Sequence, residues 1–334
     1  MKSSRVLIIF MVMVLMTTAL FASGQQNGEA EVVELRYATV HPASYPNGIA
    51  ATAFAEEVAA KTDGRVKVTV YYAGELGDQK SYIEQCQMGT LDFGDVSASP
   101  MVSFVPAMGV LSMPFLYESR DQKWDVLSSD VGKDLLATCE SADLYGVSFF
   151  EAGARSYYAK TPIRTFEDLQ GLKIRVMQSQ VCIDQVNAMG ASAVPMAFSE
   201  IYSAIQSGVI DGNECNHPTY LSQSHYEVCP YFTFDEHVQI PDMLIASKKS
   251  LDKKLDQKDR DIVLEIGRNL WQTQLKAYED NEQIAYDTLV DKGIEFITLP
   301  QSEIDKFRAA VASVYDKYED EYGIWIDKIK SAGK

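Results

Sequence analysis

The chain has 334 residues, with 47 acidic against 30 basic side chains and a formal charge of −17. So acidic a surface repels nucleic acid and anionic membrane, and it captures an anion only where cationic groups are local and enclosed. The length exceeds what one hydrophobic core usually holds, so two domains are expected.

Residues 1–22 read as an export signal. Lys2 and Arg5 supply the positive start, Val6 to Leu20 is nearly unbroken apolar sequence, and Leu20-Phe21-Ala22 is a plausible cleavage point. The run is short for a membrane span, and no cysteine at the cut offers a lipid anchor. A soluble, periplasmic mature protein is expected. Losing Lys2 and Arg5 leaves 28 basic against 47 acidic residues, a net charge of −19.

The mature fold is expected to begin near residue 31. Val33–Ala38 alternates as a strand, Asn47–Lys61 is an alanine-rich helix, Val66–Tyr72 alternates again, and Gln79–Met88 is a helix closed by Gly89. This rhythm signals sheets flanked by helices, an α/β class. The middle repeats it. Thr165 and Asp168 frame a short capped helix, and Leu172–Met177 reads as a strand carrying Arg175. A helix runs to Met189, and Ala193–Met196 follows. Ser199 is expected to cap a helix over Glu200–Gln206, with Ile210–Glu214 as the loop beyond it. Gln257–Lys292 is helical almost without interruption, with a single glycine, Gly267, and Ile262, Ile266, Leu270 and Tyr278 on one stripe. At 1.5 Å per residue it reaches about 50 Å, enough to bridge two domains. A last helix is expected over Ser302–Tyr322. The expected domains are lobe I at 31–152 with part of the C-terminal region returning, lobe II at 153–245, the bridging helix at 255–292 and a C-terminal segment at 293–334.

Five cysteines follow the signal: Cys86, Cys139, Cys182, Cys215 and Cys229. The odd number leaves at least one thiol free, and the spacing fixes no pairing.

Arg155 and Arg175 stand twenty residues apart around one strand-turn segment. A single arginine is ordinarily a surface group or the partner of a structural acid. Two of them here, one on an apolar strand, read as a socket for an organic acid, because the guanidinium fork matches a carboxylate. No Gly-x-Ser-x-Gly elbow is present and no histidine has a nucleophile at a signature spacing, so a binding protein is expected rather than an enzyme. Gly74-Glu75-Leu76-Gly77 is too short for a phosphate loop, so no nucleotide cofactor is expected. Glu75 is either a solvated turn acid or an acceptor for ligand hydroxyls. A rival reading is an exported metal-binding protein, since Cys215, His217, His225, Cys229 and His237 fall within 23 positions, although they match no compact zinc spacing.

Several segments together resemble one family. Gly153-Ala-Arg-Ser-Tyr-Tyr158, Leu169 to Met177, Ala188 to Gly212 and His225-Tyr-Glu-Val228, with Gly74–Asp78 and Met88–Asp92 before them, are similar to the solute-binding subunits of tripartite ATP-independent periplasmic (TRAP) transporters of the dicarboxylate-binding type. The resemblance implies a two-lobed α/β periplasmic binding protein with a long helix spanning both lobes. It implies closure on a small carboxylate ligand and delivery to integral membrane permease subunits. Arg175 would make the principal salt bridge and Arg155 a second contact. A family position usually held by asparagine falls on Cys215, a departure, with Asn216 beside it. Phe234–Asp242 and the Glu-x-Asn-x-Pro loop resemble a branch that takes sugar acids such as glucuronate and galacturonate, against another small acid (a 2-oxo acid or dicarboxylate) as the alternative. For such a ligand the hydroxyl partners would be Glu75, His41, Asn216 and His237, with Met177 or an aromatic side chain against the ring.

Overall fold

The computed structural model describes residues 32–333. The expected export signal lies outside them. Eleven strands form two mixed sheets among the described residues. In the first, β1 (Val33–Ala38), β2 (Val66–Tyr71) and β3 (Phe93–Ser97) run parallel, and β4 (Leu144–Phe150) closes the far edge. Between β3 and β4 lies β10 (Asp242–Ser247), antiparallel to both, so the order is β2-β1-β3-β10-β4. The second sheet contains β5 (Arg155–Ala159), β6 (Lys173–Val176), β7 (Ser192–Pro195), β8 (Gly212–Cys215), β9 (Tyr231–Val238) and β11 (Glu295–Thr298), ordered β11-β9-β5-β8-β6-β7. The chain therefore crosses between lobes more often than a boundary at residue 245 implies. β10 belongs to the first sheet and β11 to the second.

The alternation of β1 and β2 buries Leu35, Tyr37, Val66 and Val68 on one face, under helix α1 (Pro46–Lys61) with Ala50, Phe54 and Val58. Helix α2 (Gln79–Met88) begins at Asp78, whose carboxylate accepts from the Ser81 N–H at 2.8 Å, and ends at the left-handed Gly89. α3 (Arg120–Leu127) follows in the first lobe. In the second lobe, α4 (Gln180–Ala188), α5 (Ile201–Ser207) and α6 (His217–Ser222) connect the strands.

Helix α7 (Gln257–Asp291) has 35 residues and packs on α1 and β4 in one lobe and on α6 in the other. Its lone glycine has a packing reason. A Cβ on Gly267 would come within 2.7 Å of Val147 on β4, and the Gly267 carbonyl accepts from Ser148 Oγ at 2.9 Å.

Three local expectations are corrected. Ile210–Glu214 is not a loop throughout: β8 starts at Gly212, and its four residues are buried between β5 and β6. Ser199 caps nothing, because a short 3-10 turn at Phe198–Glu200 leads into α5 and the Ala197 N–H donates to Glu200. The last helix is two, α8 (Gln301–Ala310) and α9 (Ala312–Ala332), broken at Val311. All five cysteines are free and buried.

At the crossing between lobes, Glu151 follows β4 and is fully buried. Lys123 Nζ on α3 donates to it at 2.5 Å and Trp124 Nε1 at 2.6 Å. Burial works against the ionised carboxylate, but Lys123 outweighs it and holds Glu151 below its ordinary range. Lys123→Met should therefore leave the buried charge only the looser Arg120, 3.8 Å away, and cost about 3 kcal/mol in guanidinium denaturation. A cost near zero would show that Glu151 does not need its partner.

Candidate functional site

β5, β8 and β6 lie side by side, and their residues present one acid to two guanidiniums. Tyr157 on β5 pairs with Glu214 on β8, and Arg175 on β6 pairs with Asn213. The acid goes to Arg155. Arg155 Nε donates to Glu214 Oε2, while Nη2 donates to the Glu214 carbonyl at 2.6 Å and to Oε1 at 3.1 Å. Burial alone would weaken the protonated guanidinium, but Glu214 overrides it and holds Arg155 above its ordinary value.

Arg175 is left without such a partner. It is 4% exposed, and its Nε and Nη2 both donate to the Met196 carbonyl, at 3.1 and 2.9 Å. It makes no ion pair among the described residues. Burial pushes its basicity down, against the weaker pull of Glu214. An isolated buried cation is costly unless a charge arrives to meet it.

Arg175 and Arg155 line a cavity whose other walls come from both lobes. Met177, Met196, Phe198, Cys215, Asn216 and Thr219 line it from the second lobe, and His41, Tyr45, Gln79, Ser97 and Asp242 from the first. The lobes touch at its margin. Tyr45 Oη and Thr219 Oγ1 are 2.9 Å apart, and the His41 ring meets Phe198 edge-on at 5.7 Å. His41 also stacks on Tyr45 at 4.1 Å, and burial lowers its pKa to about 3, so the imidazole is neutral. Asn216 caps α6: its Oδ1 accepts from the Thr219 N–H at 2.7 Å and its Nδ2 donates to the Ala152 carbonyl at 2.8 Å. Much of its hydrogen-bonding capacity is therefore spent on the protein itself.

Of the sequence-derived candidates, Arg175, Arg155, His41, Met177, Cys215 and Asn216 meet at this cavity, and two do not. Glu75 is exposed, because the left-handed Ala73 and Gly74 fold its segment into a tight turn and leave Asp78 and Gln79 to approach the cavity instead. His237 is fully buried behind the arginine pair. Its Nδ1 lies 2.7 Å from Asp235 Oδ2, and its ring stacks on Tyr157 at 4.6 Å. The cysteines and histidines of the metal reading also part company. His225 Nδ1 bonds the Tyr158 hydroxyl at 2.5 Å, and among the described residues no three metal-ligating side chains come together.

Sequence reasoning missed Asp242, Tyr45 and Thr219. The available signal for Asp242 was an acid opening the apolar run Met243-Leu-Ile-Ala246. It also missed Asp95 on β3, which lies beneath Asp242 and accepts from Thr39 Oγ1 at 3.1 Å and Tyr37 Oη at 3.4 Å.

Residues 37–321 match the model of the bacterial extracellular solute-binding proteins, family 7. The chain belongs to that family. A solute-binding protein from Chromohalobacter salexigens is 37% identical over 287 residues, covering 85% of this chain and 84% of that one. Among solved structures, a TRAP periplasmic solute-binding protein from Pseudomonas putida with bound D-glucuronate superposes with a TM-score of 0.86 at 30% identity, covering 90% of this chain and 97% of the other. One from a Sulfitobacter species with bound β-D-galacturonate gives a TM-score of 0.84 at 36% identity, covering 89% and 98%. The fold is thus the two-lobed TRAP binding-protein fold, with its long helix. Among the described residues no helix is long and apolar enough to cross a membrane.

Asp95 generates a pH prediction. Burial, reinforced by Asp242, pushes its pKa up to about 8. Below about pH 4 the folded and unfolded chains both hold this proton. Between about pH 4 and 8 the unfolded chain ionises first, so the carboxyl removes stability as pH rises, on the order of several kcal/mol in full. Asp95→Asn should therefore gain stability relative to the parent between pH 4.5 and 8 in urea melts. Parallel curves for the two proteins would refute the buried, protonated assignment.

Proposed function

We propose that this protein captures a sugar acid, such as D-glucuronate or D-galacturonate, outside the cytoplasm and delivers it to the integral membrane subunits of a TRAP transporter. It acts by binding and not by catalysis, after removal of an export signal near Ala22. The observation that carries the reading is Arg175, a buried guanidinium facing a two-lobed cavity with no carboxylate of its own. A ligand carboxylate supplies the missing charge and the bidentate geometry. Arg155, already neutralised by Glu214, gives a secondary contact. Met177 and Phe198 offer apolar surface to the sugar ring, and His41, Asn216 and the Cys215 thiol bound the space for its hydroxyls. The relatives with bound glucuronate and galacturonate support this ligand class.

Calorimetry tests it. Arg175→Ala should weaken uronate binding by roughly two to three orders of magnitude, because truncation removes the charge the carboxylate is desolvated to meet. Arg175→Lys should recover only part, since an ammonium lacks the fork. Near-parental affinity in Arg175→Ala, or tighter binding of succinate than of either uronate by the parent, would overturn the proposal.

A further inference from the structure

The cavity is asymmetric in charge. Both guanidiniums stand on the second lobe, whereas the first lobe contributes one acid to the deep wall, Asp242 at the start of β10. Its side chain is mostly buried but keeps 11% of its surface open. Asp78 and Lys80 also border the cavity, but they are of opposite sign and offset one another.

The surroundings of Asp242 fix its Oδ2 as an acceptor. Glu151 N–H donates to Gln274 Oε1 at 2.7 Å, and a backbone N–H can only donate, so the Gln274 amide is oriented. Gln274 Nε2 then donates to the Glu151 carbonyl at 2.8 Å and to Asn47 Oδ1 at 3.0 Å. That leaves Asn47 Nδ2 to donate to Asp242 Oδ2 at 3.0 Å. The polarity runs unbroken from the main chain between the lobes to the cavity wall. His41 Nε2, 3.9 Å from Asp242 Oδ2, is neutral and does not cancel its charge. Burial pushes both carboxyls up, Asp242 to about 6 and, with Asp242 beside it, Asp95 to about 8. The Asn47 hydrogen bond and the Arg155 charge favour ionised Asp242, so it is Asp242 that gives up its proton first.

We propose that Asp242 is a specificity-determining residue that restricts the ligand to one carboxylate and requires hydroxyl donors at its far end. This rests on the sugar-acid reading above. With the ligand carboxylate on Arg175, Asp242 accepts from a distal hydroxyl. A second carboxylate there has no proton to give and meets a like charge in a low-dielectric enclosure. Rejection by like charge gives selectivity that attraction to Arg175 alone does not.

The test is calorimetry of the full mature chain with galacturonate and with galactarate, which carries a second carboxylate in place of the uronate's far end. The parent protein should bind galacturonate at least about tenfold more tightly. In Asp242→Asn the preference should shrink by about tenfold or more, chiefly through tighter galactarate binding, and Asp242→Ser should act alike if the asparagine variant fails to fold. Equal affinities in the parent, or an unchanged ratio in a folded variant, would overturn this inference and leave the sugar-acid reading standing. Failure of the parent to bind galacturonate, glucuronate or galactarate would overturn both.

Discussion

The provision of one carboxylate for two buried guanidiniums is the constraint around which the second lobe is organised. β8 lies between β5 and β6, and Glu214 on it is committed to Arg155, which donates twice to its carboxylate and once to its main-chain carbonyl. Arg175 receives only the Met196 carbonyl. A fold selected for stability alone would place an acid there or replace the cation with an apolar group of similar volume. Keeping it unpaired makes the empty protein less stable than its architecture allows and concentrates that deficit at one wall of the cavity. A carboxylate entering the space removes it.

The first lobe answers with a network of different character. Asp242, Asn47, Gln274 and Glu151 form a relay of directed hydrogen bonds, and Glu151 is also the anchor for Lys123 and Trp124. Gly153 lies two residues beyond, at φ +65°, and a Cβ there would sit 2.1 Å from the Tyr278 hydroxyl on α7. The crossing between lobes is therefore shaped by the same residues that polarise the cavity wall. The crossing itself is the short non-regular segment 151–154 between β4 and β5, and Glu151 within it ends the relay that starts at the wall.

Much of this was legible in the sequence wherever a pattern is local. The alternation of β1 and β2, the glycine stop of α2 and the uninterrupted periodicity of α7 depend on neighbours within a few residues, and each matches its expected span to within a residue or two. The failures share a cause. Gly212-Asn-Glu-Cys215 contains almost nothing that favours a strand, and only its position between β5 and β6 makes it one. Glu75 looked available for a ligand because it is acidic and flanked by glycines, yet the backbone turn at Ala73–Gly74 sends it outward. His237 has the chemistry of a ligand contact but serves Asp235 and Tyr157 in the interior. The arginines were recognisable because a guanidinium on an apolar strand demands an explanation. Asp242 made the same demand less visibly, at the end of its strand and not within it.

The buried thiols carry a consequence for how such a protein is made. Burial pushes Cys139 and Cys229 up to about 12 and Cys182 up to about 11, so thiolate, the form that attacks disulfides, is scarce at all three once the chain has folded. With all five cysteines free, the native covalent state holds no disulfide for an oxidase to make or an isomerase to rearrange. Before the core closes, the same cysteines are open to oxidation, and closure of the core ends that exposure. Burial, and not a crosslink, is what shields them in the folded chain.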